Sequence, residues 1–214
     1  MKLGILTFHW ADNYGAVLQA WALQRYLTTQ GVDCEIVDYR PHPSPRGLRA
    51  WVAKRPGAWL AKLEYQYKRR LFESFRRRHL RLSSRRFSSW PELRPSGQSY
   101  DTWITGSDQV WNPRWLEQRE GMAEAYFLAF PDNMRRISYA ASFGHGSVET
   151  IPSEWRGRIC QWLRRFDLIS VRETSGVELV RQLGGRDDVH VVADPTLLHD
   201  REMYDHLATP VPTR

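Results

Sequence analysis

A doubly wound α/β fold with a mostly parallel sheet is what the sequence predicts, and three observations predict it. Short apolar runs recur along the chain, stretches at helical spacing alternate with them, and the apolar runs end in small, polar or charged residues. Runs that are apolar throughout mark strands buried on both faces, and strand–helix alternation builds parallel sheets through right-handed crossovers.

KLGILTF (2–8) reads as the first strand. After the loop HWADNYG, residues 16–30 place Val17, Leu18, Trp21, Ala22, Leu23, Tyr26 and Leu27 at helical spacing, and Gly31 follows where a C-terminal cap sits. CEIVDY (34–39) completes a βαβ unit over residues 1–40. A proline-rich connection follows from Pro41 to Arg49. A helical pattern then carries Leu60, Leu63, Tyr67, Leu71 and Phe75 on one face with arginines opposite, interrupted at Pro56-Gly57. RLSSRRFSSWPEL (81–93) reads as a second, serine-rich connection, so 41–93 is expected to be a basic helical insertion. The alternation resumes over 94–198 with strands at YDTWIT (100–105), RRISYAAS (135–142), FDLISVR (166–172) and VHVVAD (189–194). Pro152 favours a helix start and Gly184-Gly185 a helix stop between the later strands. Residues 199–214 are expected to be a tail.

The chain has 214 residues, 42% of them apolar, enough for a real core. No run approaches the roughly 20 uncharged apolar residues of a membrane-spanning helix, and MKLGILTFHW passes into a strand pattern without a signal-peptide layout, so the expected location is the cytoplasm. Cys34 and Cys160 suggest two buried thiols rather than a disulfide or metal site. The net charge of +7 is uneven: Arg40 to Arg86 holds fifteen Lys or Arg against two acids, and the remainder is acidic. A local cationic block points to one surface meeting an anionic partner.

In an open parallel sheet, ligands bind outside the carboxyl ends of the strands. The loop Asp12-Asn13-Tyr14-Gly15 precedes a helix start, where free amides favour an anionic or hydroxyl-rich ligand, with Gln19 on the next turn; equally, Asp12 or Asn13 simply caps the helix. Without a G-x-G-x-x-G pattern, a standard nicotinamide or flavin site is not expected. Gly106-Ser107-Asp108-Gln109 with Trp111 and Asn112 ends another strand, and SFGHGS brings Ser142, Gly144 and His145 into a glycine-flanked curl that resembles an anion nest. His145 is an acid, a base or an ordinary loop residue. Arg172-Glu173 is a ligand-binding pair or a rim ion pair, and Asp194-Pro195-Thr196 reads as a structural turn.

The segments FHWADNYGAVLQAWALQRYL, IVDYRP, YDTWITGSDQVWNP, YFLAF, ISYAASFG, FDLISVRE and DPTLL, in that order, resemble the polysaccharide pyruvyl transferase family from Lys2 to about Leu198. The resemblance implies a Rossmann-like domain, the amino-terminal half of a glycosyltransferase-B-like enzyme. It implies transfer of a pyruvyl group from phosphoenolpyruvate to a hydroxyl pair on a cell-surface glycan, with no cofactor beyond that donor. The family's second half carries an Arg-Leu-His motif that supplies the catalytic histidine. Here Arg78-His79-Leu80 lies in the basic helix and is no match, and the sequence ends at Arg214. The expectation is therefore a truncated or partner-dependent half, completed by a second half or a homo-oligomer.

Within that chemistry Asp108 and His145 are the candidate proton-transfer groups. Asp12, Asn13, Ser107, Gln109 and Asn112 suit sugar hydroxyls. Trp111 either stacks on a sugar ring or packs the loop onto the sheet. Arg172 is the main cation of the rim, and that shortage of cations agrees with donor binding in the other half. The basic segment, residues 46–86, suits an anionic membrane surface where lipid-linked glycans reside, or is a solvated face. Nucleic acid is a weaker partner, because no known motif accompanies the charge. A non-catalytic sugar- or partner-binding module is the alternative function.

Overall fold

The computed structural model describes residues 1–41, 58–116, 121–131, 133–144 and 147–208, with side chains described throughout these except at 58–62 and 115–116. The expected Pro41–Arg49 connection, from residue 42 on, and the Pro56-Gly57 interruption lie outside the described residues, as does His145.

Among the described residues, seven parallel strands form one sheet in the order β3-β2-β1-β4-β5-β6-β7. They are β1 (Lys2–Leu6), β2 (Asp33–Tyr39), β3 (Leu82–Phe87), β4 (Thr102–Thr105), β5 (Arg135–Ala141), β6 (Leu168–Val171) and β7 (Val189–Val191). Among the described residues the α-helices are α1 (Tyr14–Thr29), α2 (Ala58–His79), α3 (Trp90–Leu93), α4 (Pro113–Leu116), α5 (Met122–Tyr126), α6 (Ser153–Leu163), α7 (Thr174–Gly184) and α8 (Arg201–Asp205). This is the Rossmann-like doubly wound arrangement that the alternation predicts.

Successive strand residues face opposite layers, so each central strand feeds two cores. Ile36 and Ile104 belong to one, with Ala20, Trp21, Leu23 and Leu80; Val37 and Trp103 belong to the other, with Trp111, Phe127, Phe130 and Leu163. Aromatic rings dominate the second layer. Trp103 lies 4.4 Å from Phe130 between centroids, and Trp111 stacks on Phe127 at 5.1 Å.

Three expectations are corrected. The serine-rich connection at 81–93 contains β3, an edge strand whose pattern has only Phe87 buried; an edge strand with solvent on most positions carries no apolar run to read. The apolar stripe of α2 is only partly its buried face: Phe75 packs against the core, and the side chain of Leu60 lies outside the described residues. Phe72, Arg76 and the following Leu80 turn inward, while Leu63, Tyr67 and Leu71 are 55%, 65% and 52% exposed. The expected tail begins as α8, which returns to α1 with Tyr204 against Trp21 at 5.5 Å, and His199 Nε2 hydrogen-bonds Ala22 O at 2.9 Å. Both cysteines are free; Cys34 is buried and Cys160 half-buried.

Candidate functional site

Strand order reverses between β1 and β4, and their carboxyl ends open the crevice characteristic of doubly wound sheets. At the end of β4, Gly106 has φ +103 and an added Cβ would stand 2.3 Å from Tyr139 O, so only glycine lets the chain turn against β5. The Gly106–Ser107 peptide is cis. Ser107 is fully buried; its carbonyl accepts from Thr7 Oγ1 at 2.9 Å, and its Oγ lies 3.0 Å from Asp194 Oδ2. Asp108, at φ 83, accepts from Gln109 N at 2.7 Å through Oδ1 and from Ser142 N at 3.0 Å through its carbonyl. Burial pushes the Asp108 carboxyl above its ordinary value, and the charge of Asp194 adds to this; the Gln109 amide and Arg172 pull the other way without cancelling it.

Asp194, after β7, is the counterpart. Burial alone would raise its carboxyl, but hydrogen bonds from the Thr196 amide and hydroxyl, Ser107 and Arg172 outweigh that and hold it below the ordinary range. Two nearby carboxyls thus differ in the direction of their shifts, the arrangement that separates a proton holder from a permanent anion. Arg172 spans Asp194 (3.2 Å) and Glu173 (3.2 Å). Glu173 Oε1 also accepts from Ser142 Oγ at 2.6 Å, and that hydroxyl accepts from Gly144 N at 2.9 Å. Three carboxyl groups and one guanidinium share this part of the rim, which is therefore anionic.

The loop after β1 is organised by α2. Arg76 is 1% exposed; its guanidinium donates to the carbonyls of His9, Trp10 and Ala11 at 2.7–2.9 Å and to Asp12 Oδ1 at 2.8 Å, with Glu73 at 3.2 Å. Asp12 is committed to that ion pair. Asn13 caps α1, accepting from Ala16 N at 3.3 Å, and Gly15 sits in the first turn behind it. Tyr14 is 70% exposed with its ring 5.0 Å from Phe72. His9, fully buried, faces Asp38 at 3.0 Å; burial pushes its imidazole below the ordinary value against the pull of that carboxylate. Burial would raise Asp38, yet hydrogen bonds from His9, Arg40 and Arg86 drive it well below the carboxylate range.

Among the described residues, Gln19 Oε1, beside the end of β1, and Thr105 Oγ1 and Glu173 Oε2, at the ends of β4 and β6, are buried oxygens without a hydrogen-bond partner. The Gln19 amide cannot be turned around, because Nε2 already faces Thr7 Oγ1 at 2.7 Å and Ala16 O at 2.8 Å. An unmade buried hydrogen bond costs about 1–3 kcal/mol, so such atoms mark where donors from a ligand or water belong.

The structure brings Ser107, Asp108, Ser142, Arg172 and Glu173 together and places Gln19 beside Thr7. Gln109 and Asn112 bond each other at 2.8 Å, and Asn112 Oδ1 accepts from Arg114 N. Gly144, at φ +71, packs where a Cβ would be 2.4 Å from Asn112 Nδ2. Trp111 is fully buried, with Nε1 bonded to Tyr126 O at 3.0 Å and its face covered by Phe127, so it packs the loop onto the sheet and offers no ring to a ligand. Sequence reasoning missed Asp194 and Arg76. The strand-end position of Asp194 was a usable signal, whereas nothing separates Arg76 from its arginine neighbours. Among the described residues, no group of three or more His, Cys, Asp or Glu is placed to hold a metal ion.

A family model described as polysaccharide pyruvyl transferase matches residues 13–210, most of the chain and every rim segment after the β1 loop. No curated protein matches the chain.

Proposed function

Because the chain belongs to the polysaccharide pyruvyl transferase family, we propose that its rim holds the sugar acceptor onto which a pyruvyl group from phosphoenolpyruvate is transferred. In that reaction one acceptor hydroxyl oxygen bonds to C2 of phosphoenolpyruvate while a proton reaches C3, making the methyl group. The second hydroxyl oxygen then takes the place of phosphate at C2, and its proton leaves with the phosphate. The product is a pyruvate ketal.

The observation that carries this reading is the set of buried oxygens without a partner among the described residues, Gln19 Oε1, Thr105 Oγ1 and Glu173 Oε2, at or beside the strand ends. Sugar hydroxyls are the donors such oxygens need. Asp108, with its carboxyl raised by burial, is the group suited to hold and pass the proton, and Asp194 stays ionised beside it. Phosphoenolpyruvate carries phosphate and carboxylate, and the rim's Arg172 is already committed to two carboxylates. That commitment favours a second reading, in which this chain binds the acceptor and a second half or partner supplies the donor site.

Phosphate release from phosphoenolpyruvate with candidate glycans, alongside calorimetric titration of each glycan, tests both readings. Turnover supports transfer; glycan binding without turnover supports the acceptor-binding module. In either case E173Q and Q19L weaken glycan binding about 10–100-fold, the value of one or two buried hydrogen bonds. Absence of glycan binding, or binding indifferent to both substitutions, sinks the assignment of the rim.

A further inference from the structure

Helices α1, α2 and α8 enclose a trough on one side of the sheet. Its first section is an apolar groove of about 410 Å³ lined by Tyr14, Leu18, Leu71, Phe72, Phe75 and Leu207. Its second is a cavity of about 420 Å³ lined by Arg25, Arg78, His79, Arg81 and His206 over Trp21. Leu207 borders both sections, Lys68 stands at the edge of the apolar groove, and further along α1 and α2 the lining changes from mainly apolar to mainly cationic. Arg81 pairs with Asp33 at 2.8 Å, but among the described residues Arg25 and Arg78 have no acidic partner.

The outer surface of α2 continues the pattern. Leu63, Tyr67 and Leu71 stand one turn apart and exposed, and Lys68, Arg69, Arg70 and Arg77 are exposed around them. Of the two acids on α2, Glu73 is taken by Arg40 and Arg76, which leaves the exposed Glu64 beside Leu63 against those four exposed cations. An exposed apolar stripe flanked by cations is costly in water and matches the headgroup–acyl boundary of an anionic bilayer, where apolar side chains sink, lysine stems snorkel and guanidinium groups bind phosphate. No helix among the described residues is long and apolar enough to cross a membrane, so the contact would lie along the surface.

We propose that this face docks the protein on an anionic phospholipid surface, with lipid phosphates in the Arg25–Arg78–Arg81 cavity and Tyr14, Leu63, Tyr67 and Leu71 in the acyl boundary. Because α1 starts at the rim, docking holds the crevice close to the lipid surface. Vesicle binding requires no turnover, so this proposal stands or falls apart from the transfer reading.

Sedimentation of the full chain with phosphatidylcholine vesicles, with and without phosphatidylglycerol, tests it. Retention on the anionic vesicles alone, weakened by salt, is expected. R25A/R78A lowers the partition coefficient about thirtyfold, on the order of fivefold per lost cation, and Y67S/L71S lowers it at least as far. Thermal melts of both double variants matching the wild type show that the fold is kept. Equal retention on neutral vesicles, no retention on either, or retention unchanged in either double variant overturns the proposal. Displacement from the vesicles by inorganic phosphate at constant ionic strength also overturns it, in favour of a site for a soluble phosphate ester.

Discussion

Replacing Arg76 by methionine keeps much of the side chain's volume and removes all its donors. The carbonyls of His9, Trp10 and Ala11 lose the partner that reaches them at 2.7–2.9 Å, and Asp12 loses its ion pair at 2.8 Å. Glu73 keeps Arg40 at 2.9 Å, so the damage concentrates on the β1 loop. Removing one partner from a buried charged network costs about 3–5 kcal/mol. At roughly 2–4 °C per kcal/mol for a domain of this size, the melting temperature should fall by about 6–20 °C. The neighbouring Arg77 is the control: its side chain is 76% exposed and 3.8 Å from Glu73, so R77M should cost about 0.5 kcal/mol or less. Urea unfolding followed by tryptophan fluorescence measures both. A loss below about 1 kcal/mol for R76M, or equal losses for the two variants, would refute the claim that one buried guanidinium organises the loop.

Four further outcomes follow from the same geometry. Asp108→Asn should abolish any transfer while leaving stability at pH 7 equal or higher: a carboxyl raised in the folded state costs stability once ionised, and asparagine tolerates φ 83; a clear thermal destabilisation would show that the charge is structural. Gly106→Ala should cost roughly 2–4 kcal/mol in urea unfolding, since its methyl meets Tyr139 O; near-neutral behaviour would show that the loop relaxes freely. Trp111→Ala should destabilise by about 3–5 kcal/mol, and Trp111→Phe by less, with glycan affinity unchanged in Trp111→Phe; lost affinity there would return the ring to the site. Asp38 has a depressed carboxyl, so its contribution is complete above the ordinary carboxylate value near pH 4 and lost as pH falls below it; Asp38→Asn should show a flatter acid dependence of its urea midpoint than the wild type.

The buried strands were legible because both of their faces are covered, throughout TWIT and over the last three residues of LISV: they show continuous apolar or small residues, and the chain's alternation around them leaves little choice of fold class. LSSRRF was not legible, since an edge strand in water reads like a loop. The apolar stripe Leu63–Tyr67–Leu71 was seen, but its direction was not. Periodicity reports that a face exists, and tertiary packing decides whether that face or Arg76 turns inward. The rim residues Ser107, Asp108, Ser142, Arg172 and Glu173 followed from the strand-end rule alone. Which of them share a hydrogen bond depends on strand order, and strand order is set by contacts far apart in sequence.

The central pairing of β1 with β4 has a consequence for synthesis. The bond from Thr7 to Ser107 joins residues 100 positions apart. At about 5–20 residues per second, the ribosome delivers β4 roughly 5–20 s after β1. During that interval β1 can be covered on one side by β2, which follows within the first βαβ unit, while its other hydrogen-bonding edge waits. The nascent chain therefore passes through a stage in which an apolar strand at the future centre of the sheet is an open edge, the form of the chain most exposed to pairing with the wrong strand.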